Sequence, residues 1–337
     1  MVNAWGMALE DQSKAFWIAD NSSGKISIVD ATGAPVALKT STRNPDGTLV
    51  KIDVGEGVSG AAKNPSATAF LMMQPGQACE PAKVLFANEG GQIVAVNDDI
   101  DPAKGMVMVD RSDQMAVYKG IAIIAIPGTP DATGKAVPTM RILAPDFHNA
   151  RIDVFDENFK LVTAPATLPT TGAATTMFVN PALPATYAPF NVVAINDKVY
   201  VAYAVQDDMK HDDSPGAGLG MVDEFDLQGN FIRTLAAAGG PLNAPWGIAL
   251  APSDFCNSTA GSLLVGNFGD GHITSIDLAS GRVIGQVADT KGAALAVDGL
   301  WSIGFGDGIV GATNHLYFTA GPAEESHGLF GYLKPQQ

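Results

Sequence analysis

Three short stretches gather the side chains that do acid–base and metal chemistry. Lys210-His211-Asp212-Asp213 sets an imidazole beside two carboxylates. Asp146-Phe147-His148-Asn149 holds a second imidazole, and Glu324-Glu325-Ser326-His327 a third beside two more carboxylates. Neutral imidazoles with carboxylates suit Zn, Cu, Mn or Fe better than Ca or Mg. The expected site takes a transition-metal ion on His148 and His211, with His327 or Glu325 as a third ligand. Such an ion polarises a carbonyl or activates water. Asp213 or Glu89 then acts as general base, and Lys119 stabilises a developing oxyanion. The same residue types also lock turns through side-chain hydrogen bonds, the role expected of Asp20, Asn21, Asn149, Asn267 and Asp270. His272 reads as structural.

These residues lie far apart in the chain, so the elements between them decide whether they meet. Residues 20–30 (DNSSGKISIVD), 146–156 (DFHNARIDVFD) and 267–277 (NFGDGHITSID) share a length and a pattern. Each is a polar loop followed by a strand alternating apolar and polar residues. NEGGQIVAVN (88–97), a longer version from Gln206 to Asp226, and GPAEESHGLFGYL (321–333) extend the series to six. An apolar strand precedes each loop: 15–19, 83–87, 140–144, 198–204, 262–266 and 315–320. A third strand precedes that one: WGMAL (5–9), ATAFLMM (67–73), KGIAIIAI (119–126), FNVVAI (190–195), WGIALA (246–251) and LWSIGFG (300–306). Weaker fourth strands follow at VALKT (36–40), KLVTA (160–164), FIRTL (231–235) and VIGQV (283–287). Six units of three to four strands, each roughly 40–60 residues, predict an all-β, six-bladed β-propeller. The whole of 1–337 then forms one domain, with the Pro/Ala/Thr-rich stretch 163–188 as an interblade loop.

In that architecture the starts of the innermost strands and the loops between second and third strands share one face, here called the top. His148, His211 and His327 fall on it, and His315 on the other. Blades three and six are opposite, so His148 and His327 meet only if the long blade-four loop folds over the mouth. Trp5, Trp246 and Trp301 start innermost strands of three contiguous blades. With Tyr118 and Asn191 they form either an aromatic wall for a sugar or aromatic ligand, or packing between blades. An oxygen-only Ca site on Asn64, Asn191, Asn243 and Asp298 is a further possibility.

Composition narrows the partners. Lys+Arg number 20 and Asp+Glu 35, a net −15 that repels phosphate backbones and anionic lipid. A nucleic-acid partner is therefore not expected; a neutral or cationic small molecule is. No run of 18 apolar residues suggests a membrane span. The start, MVNAWGMALE, lacks a basic region followed by an apolar one. Cys79 and Cys256 fall on opposed blades, which predicts two free thiols. No GxSxG, HExxH, P-loop, Rossmann or CxxC motif is present.

YKGIAI (118–123), DFHNARIDVFD, NPALPATYAPFNV (180–192) and YAVQDDMKHDDSPGAGLGMVDEFD (203–226) are distinctive together. So are NAPWGIALAP (243–252), DGLWSIGFGDG (298–308) and LYFTAGPAEESHGLFG (316–331). With these segments, nearly the whole chain resembles the PEP-CTERM-associated propeller family of bacteria and fungi, and more loosely NHL-repeat and gluconolactonase-like propellers. NPSATAF (64–70) departs from the family's more usual Thr-Gly pair. The resemblance implies six blades and export, to the periplasm or outside the cell. It brings no established reaction. The expected function is a metal-assisted site acting on a small molecule, as hydrolase, lyase or oxidase. The alternatives are a non-catalytic ligand- or glycan-binding propeller and a Ca-dependent lactonase-like hydrolase.

Overall fold

A computed structural model describes residues 1–73, 79–128, 134, 136–162, 177–255 and 259–335, and over them the chain is all-β. Six sheets have three or four antiparallel strands, each in chain order from the inside out. The first holds Ala4–Glu10, Ala15–Asp20 and Lys25–Val29. The second holds Val58–Lys63, Val84–Asn88, Gln92–Val96 and Met106–Asp110. The third holds Ala122–Ile126, Thr139–Asp146 and Arg151–Asp156. Tyr187–Ile195, Lys198–Val205, Gly220–Asp226 and Phe231–Ala236 make the fourth. Pro245–Leu250, Leu263–Asn267, Ile273–Ile276 and Val283–Gln286 make the fifth. Leu300–Phe305, Leu316–Ala320 and Leu329–Leu333 make the sixth. A seventh sheet is a two-stranded ribbon, Leu71–Met72 with Glu80–Pro81.

Burial explains the sequence pattern. Second strands such as AFWIAD and LYFTA are buried at every position, so they read as unbroken apolar runs. Third and fourth strands lie further out and alternate or turn polar. Apolar cores fill the spaces between neighbouring sheets. Trp17 and Phe86 sit between the first and second, Tyr118 and Leu85 between the second and third, and Val192 and Leu143 between the third and fourth. Ile248 and Tyr200 join the fourth and fifth, Leu264 and Ile303 the fifth and sixth, and Phe16 and Tyr317 the sixth and first. Each such side chain contributes about 1.5–3 kcal/mol on full burial.

The innermost strands share one irregularity. Their register slips by one residue near the top end: between Ala4 and Met7, Val58 and Ala61, Pro189 and Asn191, Pro245 and Gly247, and Leu300 and Ile303. The third sheet does the same between the Tyr118–Asp146 bridge and the Ala122–Leu143 pair. These are β-bulges, which bend a strand and re-aim one side chain. The equivalent segments read AWGM, VSGA, YKGI, PFNV, PWGI and LWSI. A small residue follows the re-aimed one because the next innermost strand is close. A Cβ on Gly6 would lie 2.6 Å from Ala61 N, on Gly60 2.6 Å from Ile121 N, and on Gly247 2.6 Å from Trp301 O. Asn191 instead donates Nδ2 to Trp246 O at 2.8 Å. Thr319 Oγ1 donates to Trp5 O, joining the sixth sheet to the first.

Several sequence expectations need correction. ATAFLMM is not an innermost strand. VSGAAK (58–63) takes that place because contact between neighbouring strands at the bulge demands small residues there, not a large apolar run. Among the described residues, VALKT and the start of KLVTA (160–162) form no fourth strand; each segment is tied to its third strand by an isolated bridge, Val29–Pro35 and Phe155–Leu161, and a few backbone hydrogen bonds. Met106–Asp110 is a fourth strand instead. Residues 163–176 of the Pro/Ala/Thr-rich stretch lie outside the described residues, as does Cys256; Cys79 is a free, exposed thiol.

Candidate functional site

The bulges aim Trp5, Lys119, Phe190, Trp246 and Trp301 toward the middle of the molecule, where the aromatics form a plug with Phe147 and Phe268. Trp5 stacks on Trp301 with centroids 3.7 Å apart, and Phe268 covers the other face of Trp301 at 4.1 Å. Trp246 meets both edge-on. Its Nε1 donates to Lys119 O at 3.0 Å, and Trp301 Nε1 donates to Asn3 Oδ1 at 3.2 Å. All three indoles are buried. Where the sequence left an aromatic wall or packing open, the structure turns these faces onto one another.

Lys119 is the exception among these positions, an ammonium in a ring of apolar groups. It is 1% exposed. Its Nζ donates to Glu89 Oε1 and, at 2.8 Å, to Asp212 Oδ1, and lies 5.2 Å from the centre of the Trp5 ring. Burial works against its charge, but the two carboxylates prevail and hold its pKa above the ordinary lysine value. Lys119 thereby ties a turn of the second sheet to the long loop of the fourth. That loop is also fastened by Gln206 Nε2, which donates to Phe147 O at 2.6 Å and His148 O at 3.2 Å.

Four carboxyl groups, Glu89, Asp212, Asp213 and Glu325, face this one ammonium. Partial burial disfavours charge on Asp212, yet Lys119 and a contact from His211 Nδ1 at 3.1 Å keep its pKa low. For Asp213 and Glu325 burial outweighs the help that Lys119 gives. Burial pushes Asp213 up to about 7, with Asp212 and Glu325 adding repulsion against the pull of Lys119. Burial also raises Glu325, with Glu89 and Asp212 adding to it and Asn3 and Lys119 opposing. Asp213 Oδ2 and Glu325 Oε1 are buried with no hydrogen-bond partner. The long loop thus brings residues of the second, third, fourth and sixth sheets to one mouth.

Ligand atoms of Glu89, His211 and Asp212 all lie within 4.8 Å of one another, a group able to hold a metal ion. Their oxygens already serve Lys119, and Glu89 Oε2 accepts Asn21 Nδ2 at 3.0 Å. His148 and His211 line one groove without joining the same ligand group. His327 is exposed, pairs its Nδ1 with Ser326 Oγ at 2.9 Å, and belongs neither to that ligand group nor to that groove. His272 Nδ1 meets Leu295 O at 2.8 Å, a structural contact. Tyr118 donates its hydroxyl to Asp153 at 2.9 Å, inside the core. The oxygen-only Ca set does not assemble: Asn64 follows its strand at the opposite end and donates to Ala69 O and Ala82 O. Asp146 and Asn267 lock turns, accepting Asn149 Nδ2 at 2.8 Å and Asn243 N at 3.1 Å. Of the two carboxylate partners of Lys119, Glu89 is among the residues expected from the sequence, whereas Asp212 is not, its neighbour Asp213 standing in its place. The six-segment alignment carried the signal, since YKGI alone puts a charge where the others have an aromatic or serine.

No protein-family model matches the chain, so the PEP-CTERM-associated resemblance gains nothing from that comparison. Protein L690 of Acanthamoeba polyphaga mimivirus, described as uncharacterized, is 28% identical over 349 residues, covering 100% of this chain and 81% of its own. A Bacteroides thetaiotaomicron protein of unknown function superposes with a TM-score of 0.52 at 11% identity, over 98% of this chain and 69% of that one. A glucose dehydrogenase superposes with a TM-score of 0.51 at 10% identity, over 100% and 97%. At these identities the solved structures speak to fold alone, and the fold they share with this chain is propeller-like.

Proposed function

We propose that the chain is a six-bladed β-propeller whose top face carries a cation-assisted site for a small polar molecule. The observation that carries this is the pair of buried, unpartnered oxygens, Asp213 Oδ2 and Glu325 Oε1, within a cluster of four carboxyl groups and one ammonium. A buried polar atom left without a partner is costly, so these oxygens suit an incoming cation. Asp213 and Glu325 would hold it, with the Glu89, His211 and Asp212 group alongside. Oxygen donors favour a hard ion such as Ca or Mn; engagement of His211 would extend the set to Zn or Fe. Such an ion supplies Lewis acidity toward a carbonyl or a water molecule. Lys119 positions the two loops, and Asp213, whose carboxyl burial raises to about 7, would be the group to take up a proton wherever it is not engaged by the ion. The aromatic plug closes the mouth from below, so a ligand enters from the top and stays small.

The test is calorimetric titration of chelator-treated protein with Ca, Mn and Zn. We expect one ion per chain, bound at least tenfold more weakly by Asp213→Asn and by Glu325→Gln. If no ion binds, or if the double variant binds as tightly as the parent, the cation reading is wrong. Ion binding without turnover of any lactone, ester or sugar substrate would favour a non-catalytic binding propeller.

A further inference from the structure

On the flank of the first sheet lies a groove of about 610 Å³, within the ~300–1,000 Å³ usual for small-molecule sites. The first sheet has three strands, and the chain that follows passes along the place of a fourth. It touches the outer edge of Lys25–Val29 twice: Val36 N donates to Ile28 O at 2.9 Å, and Ile26 N donates to Ile52 O at 3.0 Å. Between these attachments the edge stays open for one residue pair. Ile26 O and Ile28 N point outward there, because a strand residue turns both its backbone groups the same way, and no described residue supplies their partner. The gap is too short for an added strand but admits a small molecule.

The walls of the groove are apolar. Ile28, Val36, Leu38, Leu49 and Val50 line it, all of them half-buried. Two cations, Arg43 and Lys51, line it as well, and among the described lining residues there is no carboxylate. In a chain of net charge −15 that is the reverse of the general surface. The backbone sets both cations on one side. Arg43 and Leu49 form an antiparallel bridge, flanked by Asn44 N to Thr48 O at 2.8 Å and Val50 N to Thr42 O at 2.9 Å. Lys51 follows Leu49 by two residues, so it lies diagonally across from Arg43 on the same face. Lys51 Nζ donates to Asp20 Oδ2 at 2.6 Å and to Ser27 Oγ at 2.7 Å, and keeps its third N–H. Asp20 is fully buried and does not line the groove. Arg43 spends one N–H on Gly47 O at 2.5 Å and keeps the others.

We propose that this groove binds a small amphipathic monocarboxylate, its hydrocarbon tail along the apolar walls and its carboxylate on Arg43 and Lys51. Asp20 already balances Lys51, so Arg43 supplies the net charge that selects an anion, and its planar guanidinium matches a carboxylate in a two-point contact. The site is independent of the cation site assigned above, because none of Glu89, Asp212, Asp213 and Glu325 lines it.

The test is calorimetric titration of the full chain with octanoate, with octanol and acetate as probes of the tail and the charge alone. We expect one octanoate per chain, bound at least tenfold more tightly than either probe. Arg43→Gln, on an exposed stretch of chain, should weaken octanoate at least tenfold and leave octanol unchanged. Leu49→Glu sets a carboxylate beside Arg43 and should abolish octanoate binding. Chelator treatment should change nothing, which separates this site from the mouth. No octanoate bound, octanol bound as tightly, or an unaltered octanoate affinity in Arg43→Gln overturns the proposal.

Discussion

Asp213 lies at a place that works against its charge, and the protein's response to pH should register it. Its carboxyl titrates at about 7 in the folded chain, chiefly through burial, against about 3.9 when unfolded. Between those values the folded state keeps a proton that the unfolded state has lost. Stability contributed here is therefore full below about pH 4 and falls as pH rises toward 7. In chelator-treated protein, Asp213→Asn should melt like the parent at pH 4. At pH 8 it should be more stable by about 1–2 kcal/mol, a figure discounted for the partial exposure of the side chain. Thermal melts across that range check it; equal stability at pH 8 would mean the carboxylate is well solvated. Lys119 shows the opposite balance, since two carboxylates outweigh its burial. Its type and number were plain in the sequence. That its ammonium would join Glu89, 30 residues away, to Asp212, 93 away, was not.

At the scale of elements, the one-residue bulge near the top of each innermost strand builds the site. It aims the central side chains and forces a small residue next to them. Gly60 has ordinary backbone angles, so its need is for space: a Cβ would meet Ile121 N at 2.6 Å and Gly120 C at 2.7 Å. Backbone atoms cannot swing aside as a side-chain tip can. Gly60→Ala should cost about 1–3 kcal/mol or more. Gly285→Ala, on an outer strand with nothing within 4 Å of a new Cβ, should be neutral or slightly stabilising. Denaturant midpoints of the two variants distinguish close packing from a general intolerance of alanine. The buried second strands were readable as apolar runs. The innermost strand of the second sheet was not, because VSGAAK trades hydrophobicity for fit and looks like a loop.

At the scale of the molecule, the first and last sheets must be joined for the mouth to exist. Ala4–Glu10 lies beside the sixth sheet, Asn3 N donates to His327 O at 3.0 Å, and Thr319 Oγ1 both donates to Trp5 O and accepts Ser302 N at 3.0 Å. Thr319→Val keeps the volume and removes both hydrogen bonds. We expect a loss of about 1–3 kcal/mol in one cooperative transition, because every sheet depends on its two neighbours. A separate early transition would show the sixth sheet opening by itself. The sequence by itself determined the all-β class, the recurrence of strand and turn along the chain, and the acidic balance of charge. These follow from local periodicity, turn chemistry and composition, which need no knowledge of what lies opposite. Only the tertiary structure decided which carboxylates meet Lys119, that His211 joins Glu89 and Asp212 while His327 does not, and that the tryptophans face one another. Those outcomes depend on how far one long loop reaches across the mouth and on distances between residues remote in the chain, and no spacing along the chain encodes them.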